Sequence, residues 1–251
     1  MTSPLAPLYD GPLRRVLFVH AHPDDETLST GALIAALAAS GVECQLLTCT
    51  RGECGEIVPG VLPAGTTADG LTRWRLHELA GACAELGVAR NGFLGTPPAL
   101  GPGCAERTYR DSGMRWLTPT LAGPAADAGL DSLTGRPFED AVSDVLAAVA
   151  AWRPDLLISY DLGGGYGHPD HVRTAEISLA VARAAALPLL QTVTGTPDAA
   201  TWLDLADQLQ PVRRALGHYR SQLTVDGDHV VHVGGQRQPI DTTVGLHRVG
   251  P

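Results

Sequence analysis

The chain has 251 residues, of which 44% are hydrophobic and 18% charged, and its net charge is -9. That is enough chain to bury a sizeable core in one large α/β domain or two small ones. The acidic balance excludes nucleic acid as a main partner, because phosphate contacts need a basic surface. Val16–Val19 is a short apolar run and predicts a buried parallel strand. A polar turn follows at His22–Glu26, then a helix over Leu28–Ala39 that stops near Gly41. Val42–Cys49 predicts a second strand, Thr72–Leu86 a helix ended by Gly87, and Phe93-Leu94 a short strand. Phe138–Trp152 predicts an amphipathic helix and Asp155–Tyr160 an apolar strand. A glycine-rich loop, Gly163–Gly167, leads to a helix over His171–Ala186. Alternating strands and helices predict a Rossmann-like, doubly wound α/β fold with a mostly parallel sheet. Glu53–Gly70 and Thr96–Asp131 read as long irregular loops lining the active face.

The chain contains no lysine, and all its basic side chains are arginine. Its five cysteines are odd in number and scattered, which argues for a reduced, cytoplasmic chain. The first residues lack a basic region followed by an apolar stretch, so no secretory signal is expected. The longest apolar runs, Ala32–Ala39 and Ile177–Leu190, are alanine-rich, and Arg183 interrupts the second, so no membrane association is expected.

Two turns carry the chemistry. In open α/β sheets, ligands bind beyond the carboxyl ends of strands. His22-Pro23-Asp24-Asp25-Glu26 lies at such an end, and His22 and Asp25, three apart, can face one point as a partial zinc shell. Asp24 between them is then free to act on a water. The alternative is that Asp24 and Asp25 only cap a helix. Glu26 reads as a first-turn acid favouring the helix dipole, and His20 as structural. Tyr166-Gly167-His168-Pro169-Asp170-His171 repeats the arrangement after another strand. One of His168 and His171 can supply a third metal ligand while the other holds an oxyanion or protonates a leaving amine. Asp170 can orient an imidazole. Two imidazoles and a carboxylate with an open fourth position form the catalytic zinc pattern.

These two stretches resemble the paired signatures of the LmbE-like (PIG-L-like) N-acetylglucosamine de-N-acetylases. Thr48-Cys49-Thr50 with Gly52-Glu53, Arg75 with Glu78-Leu79, Arg110–Met114 and Gly164–Gly167 support the resemblance, which runs from about Arg15 to about Ala186. Within the family the chain looks most like the mycothiol-pathway deacetylases, which act on an N-acetylglucosaminyl inositol. The resemblance implies that His22, Asp25 and His171 bind one zinc ion, with iron(II) or cobalt(II) able to use the same set. It implies Asp24 as general base, His168 at the oxyanion or as acid, and Tyr166 assisting at the oxyanion. It implies Arg75 and Asp111 on substrate hydroxyls, with Glu53 a further candidate. Arg213–Leu223 resembles a later family helix, which brings in His218 and Gln222 as substrate contacts. The implied substrate is a small aminosugar. Related activities on a thiol conjugate, a glucosaminyl malate or a glycosylated natural product, and a non-catalytic sugar or metal binder, are the alternatives. Ser29 and Gly167 stand where the conjugate amidases carry lysine and proline, which favours the deacetylase. One domain over residues 1–251 is expected, with a core at about 14–186 and residues 187–251 helping to cover the site.

Overall fold

The computed structural model describes residues 3–126, 128–195 and 200–249. In chain order the elements are β1 (Arg15–His20), α1 (Asp25–Ala39), β2 (Glu43–Thr48), α2 (Ala68–Leu86), β3 (Val88–Phe93), β4 (Met114–Thr118) and β5 (Leu121–Pro124). Then come α3 (Phe138–Trp152), β6 (Leu156–Tyr160), the single turn α4 (Gly164–Gly167), α5 (Pro169–Ala185), β7 (Leu189–Thr192) and β8 (Thr201–Asp204). A 3-10 turn leads into α6 (Leu209–Leu216), followed by β9 (Leu223–Asp226), β10 (His229–His232), β11 (Arg237–Pro239) and β12 (Thr243–Val249).

Seven strands form the central sheet in the order β3-β2-β1-β6-β7-β12-β8. The first five run parallel, and β12 pairs antiparallel with both β7 and β8. β1 and β6 are apolar and wholly buried over Val16–Val19 and Leu156–Ile158, as strands covered on both faces must be. β3 is an edge and carries exposed polar residues, with Arg90 paired to Glu43 at 3.0 Å. This is why its apolar signal shrank to Phe93-Leu94 in the sequence. Residues of α1, α2 and α6 pack in one hydrophobic cluster on one face, and residues of α3 and α5 in another on the opposite face.

α3 has the expected bounds, and α2 ends at Gly87, which takes the left-handed conformation (φ 77°) that favours glycine. α1 and α5 begin earlier than expected, because the His-Pro-Asp turns themselves open the helices. The second irregular stretch contains the β4–β5 hairpin. The last quarter of the chain was expected to cover the site. Within it β7, β12 and β8 extend the sheet, α6 packs with α1 and α2, and β9, β10 and β11 form a separate three-stranded sheet. Tyr219 and Gln222 bond back to the first turn, at Glu26 and Pro23. Among the described residues no helix is long and apolar enough to cross a membrane.

Candidate metal centre and active site

β2 and β3 lie to one side of β1, while β6 and β7 lie to the other. The direction of winding therefore reverses between β1 and β6, and their adjacent carboxyl ends open a crevice. The first turn leaves β1 for α1 on one face. The second leaves β6 for α5 on the opposite face. Both His-Pro-Asp turns meet in this crevice.

Asp25 joins them. Its Oδ2 accepts from the His22 backbone N–H at 2.8 Å and from Tyr160 Oη at 2.8 Å, and lies 3.1 Å from His22 Nδ1. Its Oδ1 lies 3.3 Å from His171 Nε2. Burial opposes the charge on Asp25, but His171 and His22 outweigh it and hold the carboxyl well below the ordinary range. The other ring nitrogen of His22, Nε2, is 3.1 Å from Asp170 Oδ2 and 3.7 Å from Asp111 Oδ1. Burial disfavours its imidazolium as well, but Asp111, Asp170 and Asp25 together raise its pKa well above the usual value.

Three-residue groups with ligand atoms within 4.8 Å of one another occur twice among the described residues: His22, His168 and His171, and His22, Asp111 and Asp170. Asp25 belongs to neither group and reaches His22 and His171 as two separate close pairs. His22 is common to every combination. The fit to a cation is tested by atoms left without partners: buried His171 Nε2 and Asp170 Oδ1 have no hydrogen bond. Such atoms are rare in folded interiors. The 3.1 and 3.3 Å separations around Asp25 are made by its two different oxygens, Oδ2 towards His22 and Oδ1 towards His171, and imidazole and carboxylate are donors that zinc accepts. The donor set fits the group.

Asp24 occupies the N-cap position of α1, yet its side chain makes no capping bond. The helix-cap reading therefore does not account for it. Its backbone is held at φ 109°, a strained conformation for a residue with a side chain. Burial, then the charge of Asp25, pushes its carboxyl well above the usual range, while Arg75 pulls the other way. A free carboxylate with a raised pKa has the properties of a general base.

His168 accepts from the Asp170 N–H through Nδ1 at 3.2 Å, which leaves Nε2 as the protonated nitrogen of the neutral ring. Burial, then His22 and His171, pushes its pKa down to about 3, so it stays neutral. The His168 ring stacks 4.9 Å from that of His171. Tyr166 stands at the rim, 5.3 Å from the His171 ring and 6.0 Å from that of His168, centroid to centroid. Asp170 is wholly buried, and Oδ2 also accepts from Ser112 N–H at 2.9 Å.

The residues expected at substrate hydroxyls are distributed unevenly. Asp111 forms a wall of the crevice, and Glu53 braces it by accepting from Asp111 N–H at 3.0 Å. Arg75 is buried under the loop, with its guanidinium on the carbonyls of Gly52 and Glu56. A side chain at Gly52 or Gly55 would collide with it. Arg75 thus shapes the loop and faces Asp24 by charge. His218 is displaced from the site: it lies against α2 at Gly81, 3.9 Å from Glu85. α6 ends at Leu216 and the chain turns, which sends His218 outward and Tyr219 inward. Gln222 does reach the first turn, but donates to the Pro23 carbonyl at 2.9 Å.

Two site residues escaped sequence reasoning. Tyr160 ends β6; it bonds Asp25, accepts from Ala21 N–H at 3.0 Å and stacks on His171 at 4.4 Å. A tyrosine closing an apolar strand was the available signal. Glu26, read as a dipole acid, is wholly buried and accepts from Asp24 N–H at 3.1 Å, from Thr27 and from Tyr219. His20 is structural as expected, bonded to Tyr160 and to Thr30, and burial lowers its pKa to about 4.

The chain is 41% identical over 208 residues to the 1D-myo-inositol 2-acetamido-2-deoxy-alpha-D-glucopyranoside deacetylase of Kineococcus radiotolerans, covering 81% of this chain and 55% of that protein. It spans about half the length of the curated relatives it matches. Among solved structures, the N,N'-diacetylchitobiose deacetylase from Pyrococcus horikoshii superposes with a TM-score of 0.59 at 20% identity, over 82% of this chain and 70% of that one. The 4-carboxy-2-hydroxymuconate hydratase of Pseudomonas putida superposes at 0.61 and 17% identity, over 95% and 97%. These structural likenesses establish the fold alone. The family model described as GlcNAc-PI de-N-acetylase matches residues 17–182. That span takes in both His-Pro-Asp turns, Asp111 and Arg75, and the chain belongs to this family, PIG-L.

Proposed function

We propose that the chain is a zinc-dependent deacetylase that hydrolyses the acetamide of an N-acetylglucosaminyl inositol. The observation that carries this reading is the strained Asp24 carboxylate, free of any capping bond, next to the ion pairs that Asp25 makes with His22 and His171. His22, Asp25 and His171 would hold the ion, and when bound it supplies a Lewis acid. Iron(II) and cobalt(II) suit the same donors.

Asp24 takes the proton of the water that attacks the acetyl carbon. Nε2–H of His168 and Oη–H of Tyr166 stabilise the charge developing on the acetyl oxygen. When the carbon–nitrogen bond breaks, the proton held at Asp24 passes to the amine nitrogen, and acetate and a free amine leave. Asp111 and Glu53 would read sugar hydroxyls, and the identity to the inositol-glycoside deacetylases supports that substrate. Five unpaired thiols support a reducing, cytoplasmic setting.

The test is acetate release from N-acetylglucosaminyl inositol, its malate analogue and free N-acetylglucosamine, with bound metal quantified in the same sample. Turnover fastest on the inositol compound and abolished by chelator is the expected result. No acetate from any of the three by the zinc-loaded chain overturns the reading.

A further inference from the structure

The β4–β5 hairpin begins where the site ends. Asp111 faces His22 at 3.7 Å, Ser112 N–H donates to Asp170, and β4 starts two residues later. Thr134, on the returning chain, donates back to Ser112 Oγ at 3.1 Å. At its far end the hairpin leans on the loop before the second turn. A side chain at Gly167 would meet Leu121 Cδ1 and the Ala122 carbonyl. Trp116 stands 5.7 Å from Tyr166, ring to ring, with their planes tilted by 34°. The rings of His171, Tyr166 and Trp116 thus form a continuous series from the metal centre to the surface.

The outer part of this series is exposed. Trp116 is 52% and Tyr166 41% accessible, and Leu117, Leu121 and Leu162 on the same two segments are exposed as well. Large apolar side chains gathered in water beside a crevice mark a binding surface. A tryptophan face offers its area to the C–H face of a saturated ring, while its N–H stays wet at the edge. We propose that Trp116 is a specificity-determining platform for the second ring of the glycoside, the ring carried by the aminosugar. This rests on the deacetylase reading for its reaction, but not for its binding.

The experiment uses the zinc-loaded full chain and two probes, N-acetylglucosaminyl inositol and N-acetylglucosamine. Kinetics and calorimetric binding are measured for wild type, Trp116→Ala and Trp116→Phe. Trp116→Ala is expected to raise KM and Kd for the glycoside by about two- to tenfold. Its kcat and its handling of the monosaccharide should stay unchanged, and Trp116→Phe should recover most of the loss. Equal losses on both probes, or unchanged glycoside binding, overturn the proposal. Loss of self-association by sedimentation, with glycoside affinity intact, also overturns it and makes the hairpin a subunit contact. If wild type releases no acetate, the proposed reaction fails, while the calorimetric comparison still decides on Trp116.

Discussion

Tyr219 donates its hydroxyl hydrogen to Glu26 across 193 residues of sequence, and both side chains are wholly buried. Glu26 in turn receives the backbone N–H of Asp24. The last quarter of the chain therefore holds the strained residue assigned as base. A hydrogen bond to a charged group contributes about 1.5–3 kcal/mol. Tyr219→Phe keeps the packed ring and removes only that bond. We expect stability to fall by about that amount in urea titration, and kcat to fall with KM little changed. An unaltered kcat would show that Asp24 needs no such support.

The strain at Asp24 has a cost in stability. A side chain at φ 109° costs on the order of 1–3 kcal/mol. Asp24→Gly relieves the strain and removes a half-buried carboxyl that Asp25 already repels. The unfolding midpoint should rise while activity drops at least about 100-fold. A glycine variant less stable than wild type would contradict the strain.

Metal binding should stabilise the fold, because the ion satisfies buried donor atoms that have no hydrogen bond of their own. At a free concentration about 100-fold above Kd the gain is about 2.7 kcal/mol. Chelation should lower Tm by on the order of 5–10 °C in a chain of this size. His171→Ala should lose bound metal by elemental analysis, and its Tm should no longer respond to chelator. Full metal occupancy in this variant would exclude His171 from the ligand set.

The cysteines make a separate prediction. Cys54 and Cys104 are exposed, while Cys44, Cys49 and Cys83 are buried. Burial, then the charges of Asp111 and Glu53, pushes the Cys54 thiol up to about 11. The thiolate is the reactive form, so below that pKa its share rises about tenfold per pH unit. Iodoacetamide at pH 7 should label Cys104 first and Cys54 slowly. Labelling of Cys54 should accelerate steeply towards pH 10. Cys44 and Cys49, both raised to about 12 by burial, should react only after unfolding. Equal labelling of Cys54 and Cys104 at pH 7 would be the contrary result.

Much of this centre is written in local pattern. The apolar runs of β1 and β6, the amphipathic period of α3 and the two His-Pro-Asp turns are each contained in a short window, and the structure brings them together in the crevice. What local pattern could not show is pairing at a distance. Glu26 looks like an ordinary helix-start acid until Tyr219 arrives beside it. Tyr160 looks like the last residue of a strand until β6 is laid against β1. β3 is polar because it is an edge, so its signal was faint. His218 lies away from the crevice for a related reason: the helix expected to run on towards Leu223 stops at Leu216, and the turn that follows sends His218 outward and Tyr219 inward.

The contact between Tyr219 and Glu26 also orders events in time. Closing so long a loop is slow compared with forming local helices and adjacent parallel strands. A ribosome-bound chain can build β1, α1, β2 and even β6 before residue 219 emerges. Until then the first turn has no anchor from the C-terminal side, and Asp24 is free to relax out of its strained geometry. On the proposed assignment, the geometry of Asp24 is therefore completed when Tyr219 docks on Glu26, and not when the motif that names the family has been made.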